Sequence, residues 1–212
     1  MISIAAHYEN VHKEDYERAH EFARKKYLEP TINMQLHSRP SILVSAKKND
    51  GSIFGVIGIN IDRVAHEMLA KDERIKHFMD RQDACDQNVF ALENNRSFAP
   101  LALTAAIGVL AKNHGRKYMG ILAIPVSRKI ISSLGVEPLK SDNEDLGFGT
   151  PDIGLVPPKN RAGVETWFIN NQPTSLEIVD LDQAHDPCAS LLKKMKETGR
   201  IALCPNLSKM IS

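Results

Sequence analysis

The run NVFALENNRSFAPLALTAAIGVLAKNHGRKYMGILAIPVSRKIISSLG, residues 88–135, decides the fold of this chain. It opens on a β-rich segment, 88–93 (NVFALE). Next, 99–114 brings Leu101, Leu103, Ala105, Ala106, Val109 and Leu110 round nearly every face, which predicts a helix buried on all sides. His114-Gly115, with Arg116 and Lys117 beside it, reads as the stop of that helix. A buried strand follows at 118–124 (YMGILAI), then a short helix at 126–134 (VSRKIISSL) that ends at Gly135. Strand, helix, strand and helix in this order predict an α/β centre.

Upstream, 41–47 (SILVSAK) and 52–61 (SIFGVIGINI) flank Lys-Asn-Asp-Gly, the signal of an antiparallel hairpin. Before it, Tyr16, Ala19, Phe22, Ala23 and Tyr27 recur at helical spacing over 14–28, and Pro30 closes that helix. The charged stretch 64–84 reads as a weakly helical excursion. Past 136 the pattern loosens into Gly- and Pro-rich loops. Two late strands, near 164–169 and 175–181, and a tail helix near 187–198 complete the order. The expectation is one domain over residues 1–212, loop-rich from about 141, with a mixed, mostly antiparallel central sheet flanked by helices.

Composition narrows the function. Of 212 residues, 42% are hydrophobic and 25% charged, an ordinary globular balance. The 27 basic and 26 acidic side chains leave a formal charge of +1, so bulk charge calls for neither nucleic acid nor an anionic membrane. No apolar run approaches the roughly 20 residues of a membrane span. The start, MISIAAHYENVHKEDYERAH, lacks the apolar core of a secretion signal. Cys85, Cys188 and Cys204 are scattered thiols that suit a reducing, cytoplasmic setting. No His-x-x-x-His or Asp/Glu–His set has ligand spacing, so no metal is expected.

The element order resembles that of the GNAT acyltransferases, and residues 40–140 are most similar to the acyl-homoserine-lactone (autoinducer) synthases and the related N-acyl amino acid synthases. The mid-strand glycine of Phe54-Gly55-Val56-Ile57-Gly58 resembles the family's second sheet strand. Glu93-Asn94-Asn95-Arg96-Ser97-Phe98 is similar to the E-x-x-R-F that closes the corresponding strand, with one serine added before the ring. Arg18-x-x-x-Phe22 resembles the family's R-x-x-x-F. Two features depart. The glycine-rich pyrophosphate loop of acetyl-CoA users is absent from Arg96-Ser97-Phe98-Ala99-Pro100-Leu101, and no tryptophan-and-acid cluster follows the first helix. Family members lacking the loop tend to take acyl groups from acyl carrier protein, whose single phosphate asks less of the site. The resemblance therefore implies a pantetheine thioester donor, on carrier protein before coenzyme A, and a small amine acceptor such as an amino acid or its derivative.

Aminolysis of a thioester needs a neutral amine, a group to take its proton, and donors for the oxyanion. In the implied fold, strands 88–93 and 118–124 splay apart and expose backbone groups to an extended pantetheine arm. Glu93 would sit beside the thioester as the base, its pKa raised by partial burial. Arg96 would hold a carboxylate or lactone oxygen, or brace Glu93 in a purely structural pair. Tyr118 and Ser127 stand where such enzymes keep a general acid, although Tyr118 also reads as strand packing. Phe98, Ala99 and Leu101, opening the long helix, would meet the cofactor. Arg128 and Lys129 fit phosphates, the acidic surface of a carrier protein, or a solvated face. Phe22, Phe90 and Phe98 fit an acyl pocket or plain core. Two other readings stay open: an acetyl-CoA-dependent N-acetyltransferase, and a non-catalytic acyl-binding module.

Overall fold

A computed structural model describes residues 1–29, 36, 39–62, 82–93, 98–123, 125–135, 166–169 and 172–212. In chain order these form β1 (Ile2–Tyr8), α1 (Lys13–Tyr27), β2 (Ile42–Lys47), β3 (Ile53–Asn60), β4 (Ala84–Leu92), α2 (Ala99–Asn113), β5 (Tyr118–Ala123) and α3 (Pro125–Ser133). They continue as β6 (Thr166–Ile169), β7 (Gln172–Asp180), α4 (Leu181–Glu197), β8 (Ile201–Leu203) and α5 (Pro205–Met210). Arg96, most of the 64–84 excursion and the loop region 141–163 lie outside the described residues.

The strands form one eight-stranded sheet in the order β6-β7-β5-β4-β3-β2-β1-β8. Only β4 with β5 and β1 with β8 pair parallel; every other joint is antiparallel. The mixed, mostly antiparallel sheet expected from the sequence is present. The hairpin turn is built as its residues dictate. Gly51 takes φ 81°, and the Asp50 carboxylate accepts hydrogen bonds from the Ser52 N–H and hydroxyl.

Five elements differ from the expectation: β8 and α5 follow the tail helix where no further element was foreseen, and three others depart in kind or bounds. β1 was not foreseen as a strand, yet it pairs antiparallel to β2 and parallel to β8. β4 begins at Ala84, four residues early. α4 begins at Leu181, because the Asp180 side chain caps it by accepting the Asp182 N–H, and Pro187 is carried inside the helix.

The two faces of the sheet are filled differently. α2 is buried along nearly its whole length, with Leu103, Ile107 and Leu110 fully out of water. Each such side chain stabilises the fold by about 1.5–3 kcal/mol. α4 packs on the far side of α2, close enough that a Cβ at Gly108 would sit 3.2 Å from Cys188 Sγ. On the other face, α1 lays Tyr16, Ala19 and Ala23 over Leu43, Val56, Val89 and Ala91. Its acidic first turn and basic last turn both suit the helix dipole.

Candidate active site

The site begins as a fault in the sheet. β4 and β5 are in parallel register from Ala84↔Tyr118 to Gln87↔Ile121, and there the pairing ends although both strands continue. At the same level the β3–β4 register jumps from Gly58↔Val89 to Ile59↔Gln87, leaving Asn88 as the extra residue of a bulge. A bulge bends its strand and increases the local twist, which carries β4 away from its neighbour. Gly58 stands opposite. A Cβ there would lie 2.5 Å from Pro40 Cγ and 2.9 Å from Val89 Cβ, so the mid-strand glycine is required by close approach.

Past the bulge, the far edge of β4 has no strand partner among the described residues. The Glu93 N–H bonds back to Phe54 O at 2.8 Å, on the β3 side. Antiparallel pairing alternates, so the N–H groups of Phe90 and Leu92 point the other way, into the opening. The Phe90 N–H donates to the Tyr27 hydroxyl at 3.2 Å. Burial pushes the Tyr27 phenol above its ordinary range, with the Phe90 N–H acting against it, so the ring carries its proton at neutral pH.

Glu93 follows β4 at once. Its side chain is 48% exposed and accepts a 2.8 Å hydrogen bond from Lys48 Nζ. The Lys48 ammonium holds its carboxyl below the usual carboxylate range. The burial-raised pKa expected of Glu93 is therefore corrected: the group is solvated and ion-paired. Lys48 reaches it from the hairpin turn, its Nζ 5.9 Å from the centre of the Phe54 ring.

Tyr118 lies away from the opening. It pairs with Ala84 at the closed end of the β4–β5 ladder, three residues before Ile121, or about 10 Å along the strand from where the opening starts. Lys117 Nζ lies 5.3 Å from its ring centre. Ser127 is buried in the first turn of α3, and Arg128 is exposed on the same helix.

Phe98, Ala99 and Leu101 open α2 as expected. Phe98 is exposed at the N-cap without a side-chain cap bond, Ala99 is fully buried, and Leu101 packs against the core. Pro100 in this first turn removes one of the N–H donors that a phosphate would use. The Arg200 guanidinium, from the turn after α4, lies 4.5 Å from the centre of the Phe98 ring and brings a cation to this helix start.

Beneath β5, Gly108, Met119, Ile121, Ile131, Leu134 and Cys188 enclose an apolar seam of about 10 Å³, a water-sized space. On the α1 side, Arg18 and Phe22 form one wall of an open depression of about 480 Å³ that reaches Ile53, next to the Phe54 that pairs with Glu93. Two polar pairs are buried on this same face. His7 Nε2 and the Ser45 hydroxyl lie 2.7 Å apart, and Asn60 Nδ2 donates to Asp86 Oδ1 at 3.1 Å. No cluster of three or more metal-binding side chains occurs among the described residues.

Sequence reasoning missed Tyr27, Lys48 and Arg200. Tyr27 carried a signal only as one more ring at helical spacing, which reads as core. The other two carried none.

No family model and no curated protein matches the chain in sequence. Solved structures do match in shape. BjaI, a CoA-dependent acyl-homoserine lactone synthase solved with MTA, aligns with TM-score 0.60 and 12% identity over 99% of both chains. The acyl-homoserine lactone synthase LasI aligns with TM-score 0.58 and 10% identity, over 89% of this chain and 93% of its own. YncA from Salmonella typhimurium, solved with its cofactor acetyl-CoA, aligns with TM-score 0.50 and 11% identity, over 85% and 95%. The chain has the GNAT-like fold that these structures share.

Proposed function

We propose that this chain is an N-acyltransferase that moves an acyl group from a pantetheine thioester to the amine of a small molecule, such as an amino acid or its derivative. The observation that carries the reading is the opening of β4 from β5 beyond Gln87↔Ile121, at a bulge, within this fold. An extended pantetheine arm can pair with the exposed strand edges as an added strand would. The thioester carbon then lies near the end of β4, with the acceptor arriving from the α1 side, where the depression beside Arg18 and Phe22 reaches toward Glu93. The amine nitrogen attacks the carbonyl carbon, the C–N bond forms and the C–S bond breaks. The proton lost by the amine passes to Glu93 or to a water it holds. A carboxylate held ionised by Lys48 is well suited to grip the incoming ammonium, and Arg96 would hold a carboxylate or lactone oxygen on the same acceptor.

Acyl carrier protein is the favoured donor. Glycine is absent before α2 and Pro100 takes away a donor, so the helix start is poorly built for a pyrophosphate. Arg128 and Lys129, exposed on α3, offer charge to an acidic carrier surface. Acyl-CoA is the second reading, favoured by the CoA dependence of BjaI.

The test is thiol release from matched acyl-carrier and acyl-CoA donors against a panel of amines, with products identified by mass spectrometry. N-acyl product from wild type, lost in Glu93→Gln, supports the reading. Wild type that acylates no amine from either donor overturns it, and equal turnover by Glu93→Gln removes the carboxylate from the mechanism.

A further inference from the structure

We propose that Tyr27 is a catalytic residue, presenting its phenolic O–H to the opening between β4 and β5 as the hydrogen-bond donor for the oxyanion; the inference rests on the acyl-transfer reading above. Of the backbone donors that face the opening, the Phe90 N–H lies just past the bulge at Asn88, where a carbonyl lying along the strand edge would be received. That N–H is already engaged, 3.2 Å from the Tyr27 oxygen. The phenol accepts this bond through a lone pair and keeps its own hydrogen, for which the described residues offer no acceptor.

Tyr27 is the last residue of α1, and its ring packs against the apolar cluster of Leu43, Val56, Val89 and Ala91. The helix end and this packing fix the ring, so the hydroxyl is held in place before substrate arrives. Accepting the amide bond also polarises the phenol, which strengthens it as a donor. In the reaction the thioester carbonyl oxygen becomes an oxyanion as the amine nitrogen bonds to its carbon. The Tyr27 O–H and that oxyanion share a hydrogen bond without net proton transfer. When the intermediate collapses, the C=O re-forms, the C–S bond breaks and the thiolate leaves, and Tyr27 retains its proton throughout.

Tyr27→Phe keeps the ring and removes only the hydroxyl. Steady-state thiol release and thermal melting are measured on wild type and variant together. The expected result is a fall in kcat of about 10²–10³-fold, the usual effect of deleting one oxyanion donor, with the KM for the thioester little changed. The donor role is overturned if kcat holds while the melting temperature drops, because the hydroxyl is then a staple between α1 and β4. It is overturned equally if kcat rises, because the phenol then blocks an amide that the substrate needs. Both outcomes leave acyl transfer intact. Wild type without transfer to any amine removes the acyl-transfer reading, and the donor role with it.

Discussion

The two faces of the sheet are built to opposite rules. The α2 face is nearly dry: Ile57, Ile59 and Cys85 meet Leu103, Ile107 and Leu110, α4 packs against α2, and the buried Thr104 hydroxyl is bonded within its own helix to Pro100 O. The α1 face carries bonded polar groups among its apolar ones: His7 with Ser45, Asn60 with Asp86, the Tyr16 hydroxyl on Pro40 O, and Tyr27 on the Phe90 N–H. A buried polar group is tolerated only when it is bonded, and such bonds fix orientation more than they add stability. The difference assigns tasks: one face holds the sheet together, and the other fixes the groups around its opening.

The comparison breaks first at Leu103. This side chain is fully buried and touches the sheet where Gly55 leaves room for it, a Cβ there lying 3.1 Å from Leu103 Cδ1. Leu103→Ala should cost about 2–5 kcal/mol in urea unfolding, with turnover per folded molecule unchanged. A loss under about 1 kcal/mol would mean that the α2 face is not close-packed, and that the contrast is one of composition alone.

Much of the dry face was legible in the sequence, because twelve apolar or small residues in one fifteen-residue helix leave no alternative to burial. The hairpin was legible in Asn-Asp-Gly. β1 was not: ISIAAHY is short of β-branched residues after Ile4 and places His7 inward, and its strand state comes from β2 and β8. β8 is three residues long, below any periodic signal. Pro187 disguised the first turns of α4, since proline ordinarily marks a helix start. The position of the opening followed from the resemblance to the GNAT enzymes. Its chemistry did not, because the Tyr27–Phe90 bond joins residues 63 apart and Lys48 reaches Glu93 across 45.

The polar face should show itself in acid. Burial first, and the Lys47 charge next, lower the His7 pKa to about 4, while Asp15 opposes them and His12 and Arg18 add to the lowering. The unfolded chain takes this proton near 6.5 and the folded one resists until about 4. Between those values the unfolded state binds more protons, so stability falls as pH falls from 6.5 toward 4. The loss reaches about 3 kcal/mol below that window. His7→Gln, which can still bond Ser45, should flatten this part of the stability–pH curve, measured as urea midpoints from pH 7 to pH 4. Parallel curves for the two proteins would return His7 to the rank of an ordinary surface histidine.

Gly58 tests whether the face and the opening are one construction. Gly58→Ala drives a methyl into the Pro40 ring and Val89, neither of which has a flexible end to move, and overpacking of this kind costs about 1–3 kcal/mol. Because Val89 adjoins the bulge, turnover per folded molecule should fall as well. Stability lost with turnover kept would show that the bulge is set from the β5 side.

The smallest effect is expected at the rim, where the polar face meets water. Lys48 and Glu93 are both about half exposed, so Lys48→Ala should leave the melting temperature where it is. It should still move the pH profile. Lys48 is the main reason the Glu93 carboxyl stays below its ordinary range, through both the hydrogen bond and the charge, and Lys26 adds little. Without Lys48 the carboxyl protonates at higher pH, so the acidic limb of kcat/KM should shift upward while the basic limb holds. The sign separates two assignments. A limb set by a buried group of the α1 face would stay where it is, since Lys48 pairs with Glu93 at the surface, and a limb that moves identifies Glu93 as the group whose ionised form receives the amine.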